Sequence, residues 1–274
     1  MCTLRETRAV RPDVAAHLNG YNGQLARNRF ARENVVATTQ FVGGHLPQWH
    51  LEVDAARLLL ILNRFALAPS GETERLAHLA KLSFVRHFAS EYYLQKLDFL
   101  LRYPRYFAFE LIELHAACDG PAQDTDVAKE AIRRVLRHGE PELHTEPFLR
   151  FWRGAYERLD DVEGWWFSRE LVCVGREARG NAPRWKHYFL TQKGEDTAES
   201  LREKVEHARW YADRIDDIHR FMGHLSAANI KSRQYRHKGY REANLNQLIP
   251  DLSDRDISDN FQEVFGEPLG VALG

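Results

Sequence analysis

Apolar residues recur every three or four positions in the first half of the chain, which is the period of one helix face. The pattern runs from 51 to 65, stops at the Pro-Ser-Gly stretch at 69–71, and resumes from 76 to 117. Pro104 is expected to begin a new helix there, because proline fits a first helical turn and breaks a helix interior. We therefore predict a helical region over residues 51–118, preceded by an irregular N-terminal arm over residues 1–50.

The second half predicts a different order of elements. Helical periods cover 127–138 and 156–169, and two short β-branched and aromatic runs at 171–174 and 185–190 predict strands. The polar, glycine-containing stretch between these runs fits a hairpin loop, and helix resumes at about Lys193. Helix, helix, hairpin and helix in this order is typical of a winged-helix module, which we assign to residues 125–222.

The last helix of this module is predicted to be the longest in the chain. Its apolar positions alternate in steps of four and three from 201 to 222, which indicates packing along one neighbour in the same chain or in another. Residues 223–274 are predicted to form a C-terminal helical segment with a basic patch. The expected fold class is therefore mainly α with a small β-hairpin.

Composition excludes several classes of protein. The net charge of -1 provides no overall attraction to nucleic acid or membrane, so electrostatic binding has to come from local patches. The three cysteines are far apart and form no CxxC pair, which predicts neither a disulfide framework nor a zinc site. No secretory signal and no apolar run of membrane-spanning length occur in the sequence, so we expect a cytoplasmic protein without membrane contact.

Motifs that carry catalysis are missing from the sequence. HExxH, GxxxxGK[ST], GxGxxG and GxSxG do not occur, so the simplest metalloprotease, nucleotide-binding and hydrolase assignments have no support. Asp124, Asp126 and Lys129 have residue types that a nuclease uses, but Asp126 is better explained as a helix N-cap. We expect no enzyme activity, no cofactor and no metal, although distant histidines could still assemble a metal site.

One segment, residues 231–241, is rich in basic residues and contains no acidic residue. Cations interleaved with tyrosines can neutralise phosphates and stack on bases, although the same residues also suit an acidic protein partner. The candidate nucleic-acid-binding residues are Lys231, Arg233, Arg236, Lys238, Arg241, Tyr235 and Tyr240.

The helix that precedes the hairpin is unsuited to reading DNA. Its sequence over 156–170 carries five acidic and two basic residues, which phosphate would repel. Its tryptophans are better explained as core or interface anchors, so we expect this winged helix to contact protein. The candidate partner-interface residues, taken from this helix and from the long helix after the hairpin, are Trp165, Trp166, Leu201, Val205, Ala208 and Ile215.

Three stretches of the sequence resemble a known family. KLDFLLRYPRYF at 96–107 resembles the helix-ending motif of the middle, accessory components of bacterial ABC three-component systems, which are allied to the accessory subunit of Lamassu anti-phage defence complexes. PFLRFWRGAYERL at 147–159, RELVCV and YFLTQKGEDTAESL at 188–201 resemble the winged-helix core of these proteins. LSAANIKSRQYRHKGYREANLNQLIPD at 225–251 resembles their C-terminal helical segment. The basic insertion at 231–241 and the longer N-terminal arm depart from the family pattern.

The resemblance implies a non-enzymatic accessory subunit. Such a subunit bridges an SMC-like, Rad50-like ATPase and an effector, often a nuclease, and the assembled complex contacts double-stranded DNA. Two alternatives stay open on the sequence. One is a dimeric winged-helix DNA-binding transcription regulator that pairs through the helix at 201–222, and the other is an undetected nuclease.

Overall fold

The computed structural model describes residues 48–137, 148–151, 154–178, 185–245 and 247–270. All of them belong to one compact unit, Pro47–Gly274. The arm predicted over residues 1–50 lies almost entirely outside the described residues. Within the described part, the chain is mainly helical and contains two small antiparallel sheets. No helix in this part combines the length and the apolar character that crossing a membrane requires.

The elements of the first half confirm part of the predicted helical region. Its helices are α1 Gln48–Phe65, α2 Gly71–Leu76, α3 Glu91–Arg102, α4 Pro104–Ala116 and α5 Thr125–Arg137, and strand β1 Arg86–Ala89 lies between α2 and α3. Pro104 begins α4 as predicted, and Ser90 caps α3 by accepting a hydrogen bond from the Tyr93 N–H. The helical prediction from 76 onward is wrong at β1, because these four residues pair with a strand from the second half of the chain.

The second half contains the remaining elements. They are β2 Leu149–Phe151, β3 Gly154–Tyr156, α6 Asp160–Ser168, β4 Val172–Glu177, β5 Trp185–Leu190, α7 Gln192–Lys204, α8 Glu206–Met222, α9 Ala227–Gln234, α10 Lys238–Glu242 and α11 Asp254–Phe265. The predicted hairpin is confirmed as β4 and β5, although β4 continues three residues beyond the predicted end at 174. The predicted helix start at 156 is too early, since residues 154–156 form β3.

The larger sheet has the strand order β1-β5-β4, with both pairs antiparallel. Tyr188 at its centre pairs with Phe88 on one side and Val174 on the other. Strand β5 therefore connects the hairpin to β1, which lies about a hundred residues earlier in the chain. The second sheet is the short hairpin of β2 and β3.

The single long helix predicted over 201–222 is instead two helices, α7 and α8. Val205 between them has an extended backbone, with φ -115° and ψ 114°, and its side chain is 41% exposed. Helices α7 and α8 pack against each other and against α1. One straight helix could not fold back to pack on itself and on α1 at the same time. Tertiary packing therefore explains the bend, which the spacing of apolar residues does not predict.

Helix α1 lies at the centre of the apolar core. It contacts α3, α6, α7 and α8, and its residues at 58, 59, 61 and 62 are almost completely buried. The core continues without interruption into α4, α5 and the C-terminal helices. Ser253 and Asp256 form a capping box at the start of α11, and Gly266 ends that helix at φ 70°, where a residue without Cβ is favoured.

Candidate partner-binding surface

The basic segment at 231–241 spans the end of α9 and the start of α10; α9 packs against α3, and side chains of the segment contact α4. Arg233 is buried, and its Nε donates to Oε2 of Glu110 over 2.6 Å. His237 is also buried, with Nε2 3.2 Å from Oε1 of the same carboxylate, and its ring lies against Phe109 at 4.1 Å between centroids. Arg233 is therefore neutralised inside the protein and offers no charge to phosphate, contrary to the prediction.

The two tyrosines of this segment also have structural contacts. Tyr240 is fully buried, and its hydroxyl accepts the Ala155 N–H over 2.7 Å. Its ring lies edge-on to Phe99 and Tyr235. Tyr235 is half-buried and packs on the core. Tyr240 therefore cannot stack on a nucleic-acid base. The prediction that it binds nucleic acid is wrong.

The remaining cations of the segment are more accessible. Arg236 has a 57% exposed side chain and lies 3.6 Å from Glu113, while Arg241 is exposed. Lys231 is half-buried, with its ammonium 5.7 Å from the Tyr235 ring. Lys238 begins α10, and its side chain is not among those that the structure describes. The basic patch of the prediction thus reduces to a few cations at the surface.

Two apolar side chains stand at the surface directly after these cations. Leu245 is 57% exposed and Leu248 is 55% exposed. The next residue, Ile249, is buried, and its N–H donates to the Phe148 carbonyl over 2.9 Å. The stretch with the two leucines is thus attached to the core at its end. We call the exposed residues of the segment 236–248, namely Arg236, Arg241, Leu245 and Leu248, the C-terminal surface.

Helix α6 holds the tryptophans that were predicted as interface anchors. Trp166 is fully buried, and its Nε1–H donates to the Ala55 carbonyl of α1 over 3.1 Å. Trp165 is half-buried beneath the Arg169 guanidinium, 4.0 Å from its ring centroid. Phe167, the next residue of α6 after Trp166, is 44% exposed. Trp166 is therefore a core residue, and Trp165 and Phe167 are the aromatic residues of α6 that reach the surface.

The first turn of α6 is acidic, as the sequence predicts. Asp160, Asp161 and Glu163 lie there, where carboxylates complement the positive end of the helix dipole. Oε1 of Glu163 accepts from Lys186 Nζ over 2.7 Å, which ties α6 to strand β5. The same ammonium lies 2.6 Å from Glu91. Glu163 is therefore buried and neutralised, and the exposed carboxylates of this turn are those of Asp160 and Asp161.

The other predicted interface residues divide between core and surface. Ala208 and Ile215 on α8 are buried at 6% and 2% exposure, so they contact their own chain and cannot form a partner surface here. Leu201 is half-buried in α7 and packs on the core. Val205 is the exposed member of the group. The continuous apolar stripe that motivated these candidates is therefore divided by the bend at Val205.

A buried ionic network joins α1 and α3, and no local pattern of residues predicts it. Arg57 is fully enclosed and donates to Asp98 over 2.6 Å and to Asp54 over 2.7 Å. Burial disfavours the guanidinium charge, but the two carboxylates outweigh that effect and raise the pKa of Arg57. Burial raises the pKa of Asp54 despite the nearby Arg57. The network crosslinks two core helices.

Two histidines that spacing could not connect meet across the larger sheet. Nε2 of His87 on β1 lies 2.9 Å from Nδ1 of His187 on β5. The residues are 100 positions apart in the chain, so their contact could be predicted only from the pairing of β1 with β5. In the described part of the chain, no three His, Cys, Asp or Glu side chains are grouped so as to hold a metal ion.

Comparison of the chain with protein-family models, curated proteins and solved structures gave no match.

Proposed function

We propose that the chain is a non-enzymatic accessory subunit, which bridges an SMC-like, Rad50-like ATPase and an effector such as a nuclease in a bacterial anti-phage or anti-plasmid complex. The partner classes come from the sequence resemblance over residues 96–107, 147–159, 169–174, 188–201 and 225–251. The arrangement of the elements and of the surface charge supports a role in binding protein partners. Each supporting observation is independent of the resemblance.

The element order supports a winged-helix module with an insertion. The elements outside α2 and outside residues 103–159 occur in the order helix α1, strand β1, helix α3, helix α6 and hairpin β4-β5, which is helix, strand, helix, helix, strand, strand. The first strand joins the second strand of the hairpin in the order β1-β5-β4, which is the winged-helix arrangement. In this proposal the module begins at α1 instead of residue 125, and residues 103–159 are inserted between its second and third helices.

The acidic first turn of α6 carries the proposal. In the winged-helix arrangement, the helix before the hairpin is the one that enters the DNA major groove. Here that position carries the exposed Asp160 and Asp161, and Trp166 attaches it to the core. Phosphate would repel the carboxylates, whereas a protein partner can accept the exposed Phe167. We therefore assign this helix to protein contact.

The C-terminal surface is the second region that we assign to a partner. Exposed arginines that are close in the sequence to exposed apolar side chains suit a protein partner that offers carboxylates around an apolar patch. DNA contact by Arg236 and Arg241 within the assembled complex is the weaker assignment, because two of the six predicted nucleic-acid residues whose side chains the structure describes are buried. Reversing the charge of both arginines should then change partner retention more than DNA affinity.

The alternative of a dimeric DNA-binding regulator loses its main support. It required an apolar face over 201–222 that is free to pair with a second copy. Ala208 and Ile215 of that face are buried against their own chain, and Val205 lies at a bend. The acidic α6 also argues against base readout.

A capture experiment with matched variants tests the proposal. The tagged chain would carry Arg236→Glu, Arg241→Glu, Leu245→Asp and Leu248→Asp together, with Lys193→Glu as the control at another exposed cation. We expect the quadruple variant to lose at least one co-purifying protein that wild type and the control both retain. Retention of every partner by a folded quadruple variant would exclude this surface, and capture of no partner by wild type would contradict the proposed function itself.

A further inference from the structure

A cavity of about 390 Å³ opens where α1, β1, α7 and α8 meet. This volume lies in the range that small-molecule sites occupy. Helices α7 and α8 form two of its walls, and they meet there because the chain bends at Val205. None of its described lining residues belongs to α6 or to the C-terminal surface.

Three arginines line this cavity, and each comes from a different element. Arg64 lies on α1, Arg86 on β1 and Arg202 on α7, and their side chains are 43%, 38% and 45% exposed. Asp216 on α8 is the acidic residue among the described lining residues. Every side chain within three positions of these four in the sequence is also described. The described lining therefore carries three positive charges and one negative charge.

Asp216 holds two of the arginines but uses only part of their donors. Nε of Arg64 donates to Oδ1 of Asp216 over 2.6 Å, and Nη2 of Arg202 donates to Oδ2 over 2.6 Å. A guanidinium carries several N–H donors in a planar fork. Neither arginine forms another hydrogen bond within the described part of the chain. Both Nη groups of Arg64, and Nε and Nη1 of Arg202, therefore keep donors for a ligand.

Two further carboxylates lie near the arginines without lining the described cavity wall. Arg86 directs Nε and Nη2 to Oε1 of Glu195 on α7, which leaves its Nη1 without a partner among the described residues. Asp213 is 67% exposed and lies 3.6 Å from Arg202, so water screens most of its charge. These carboxylates orient the guanidinium groups, and the unpaired N–H donors of three arginines meet at one cavity.

The cavity also offers groups that suit the hydroxyls of a ligand. Asn63 lines it, and Oδ1 of Asn63 is buried without a hydrogen-bond donor among the described residues. A buried polar atom without a partner is uncommon, and a ligand hydroxyl would supply the missing donor. The carboxylate of Asp216 has further lone pairs that accept hydrogen bonds. A hydroxylated ligand therefore matches this wall better than an apolar one.

We propose that this cavity binds a small sugar phosphate, which is a phosphate monoester on a hydroxylated carbon skeleton. The phosphate accepts N–H donors from Arg64, Arg86 and Arg202, because the guanidinium fork matches the geometry of phosphate oxygens. The hydroxyls of the skeleton form hydrogen bonds with Asn63 and Asp216. The proposal does not depend on the proposed function.

Calorimetric titration of the full chain tests this assignment slightly above neutral pH, where a phosphate monoester is largely a dianion. Glucose 6-phosphate and ribose 5-phosphate carry both features, glucose lacks the phosphate, and inorganic phosphate lacks the hydroxylated skeleton. We expect at least one sugar phosphate to bind about tenfold or more tightly than glucose and inorganic phosphate, because each of these lacks one set of hydrogen bonds. Sugar phosphates that bind no more tightly than glucose or inorganic phosphate, or that show no detectable binding, would overturn the proposal.

Three variants locate the binding in the cavity. Arg64→Gln and Arg202→Gln each remove one guanidinium, and each should weaken sugar phosphate binding by about tenfold or more. Both side chains are close to half exposed, so both variants should fold, and either folded variant suffices for the test.

Arg134→Gln is the matched control for these two variants. Arg134 also pairs with an aspartate of α8, Asp217, and its side chain is 39% exposed, but it is not among the described residues that line the cavity. We expect this variant to bind the sugar phosphate with wild-type affinity. Wild-type affinity in the folded Arg64 and Arg202 variants, or an equal loss in all three, would contradict the assignment.

Discussion

Glu110 on α4 accepts a hydrogen bond of 2.6 Å from Nε of Arg233 on α9, and both side chains are buried. The same carboxylate lies 3.2 Å from Nε2 of His237. One carboxylate thus holds two residues of the basic segment, and it does so inside the protein. Because of this contact, Arg233 is part of the core, although the sequence predicts that it binds nucleic acid.

The first prediction concerns this contact. Replacing Glu110 with alanine leaves the Arg233 charge buried without its carboxylate, so we expect a loss of about 3–5 kcal/mol in the free energy of unfolding. Glu113→Ala, one turn further along α4, is the matched control, since its 3.6 Å pair with the exposed Arg236 should contribute less than about 1 kcal/mol. Urea unfolding of both variants measures the difference. Similar losses in the two variants would show that the Glu110–Arg233 contact is not a core interaction.

The second prediction concerns Lys96, which is buried in α3. Burial lowers the pKa of Lys96 to about 8, and the positive charge of Lys231 acts in the same direction. The unfolded chain therefore binds more protons than the folded chain between about pH 8 and pH 10.5, and stability gains from this residue as pH rises through that interval. Below pH 8 the folded protein must hold a buried charge.

Lys96→Met should accordingly stabilise the protein at neutral pH, by about 1–3 kcal/mol. The advantage of the variant over wild type should shrink as pH rises from 8 towards 10.5. Urea unfolding at several pH values checks this. Burial raises the pKa of Tyr93 to about 12, and the contribution of such tyrosines to the pH dependence is the same in both proteins, so it drops out of the difference in unfolding free energy. A wild type that is more stable than the variant at every pH would refute the prediction.

The third prediction compares the neighbouring tryptophans of α6. Trp166→Phe loses the 3.1 Å hydrogen bond to the Ala55 carbonyl and leaves a small void, so we expect a cost of about 2–3 kcal/mol. The buried Nε1–H of Trp165 has no acceptor among the described residues, so Trp165→Phe should cost less than about 1 kcal/mol. Thermal unfolding of the two variants provides the test, and the reverse order of stability would contradict the placement of α6.

The fourth prediction tests the bend between α7 and α8. Val205 is in the N-cap position of α8, has an extended backbone and supplies no side-chain cap. Val205→Asp should therefore stabilise the protein by about 0.5–1 kcal/mol, because a carboxylate there can accept from the first N–H groups of α8. In one continuous helix Val205 would lie in the apolar stripe, so the same change would place a carboxylate among apolar side chains and destabilise the protein. The sign of the change in unfolding free energy, measured in urea, decides between the two structures.

Local signals in the sequence predicted several elements correctly. Pro104 marked the start of α4, and the two β-branched and aromatic runs around the polar glycine stretch predicted the β4-β5 hairpin. The acidic character of α6 was also clear from the sequence, because it depends on composition alone. These features are determined by residues that are neighbours in the chain.

Features that depend on distant residues were not predictable in the same way. Strand β1 is only four residues long and is defined by its pairing with β5, which no local pattern reveals. The bend at Val205 lacks glycine and proline and follows from packing on α1. Arg233 and Tyr240 are buried against Glu110 and Ala155, which are 123 and 85 residues away in the chain, so no local pattern could predict their burial.

The central claim is that this chain acts by binding protein partners through α6 and the C-terminal surface. The most direct measurement is affinity purification of the tagged wild-type protein expressed from its native operon, with each co-purifying chain identified by mass. We predict a large coiled-coil ATPase together with an effector chain in the eluate. A protein that elutes alone, or only as a homodimer, would contradict the claim.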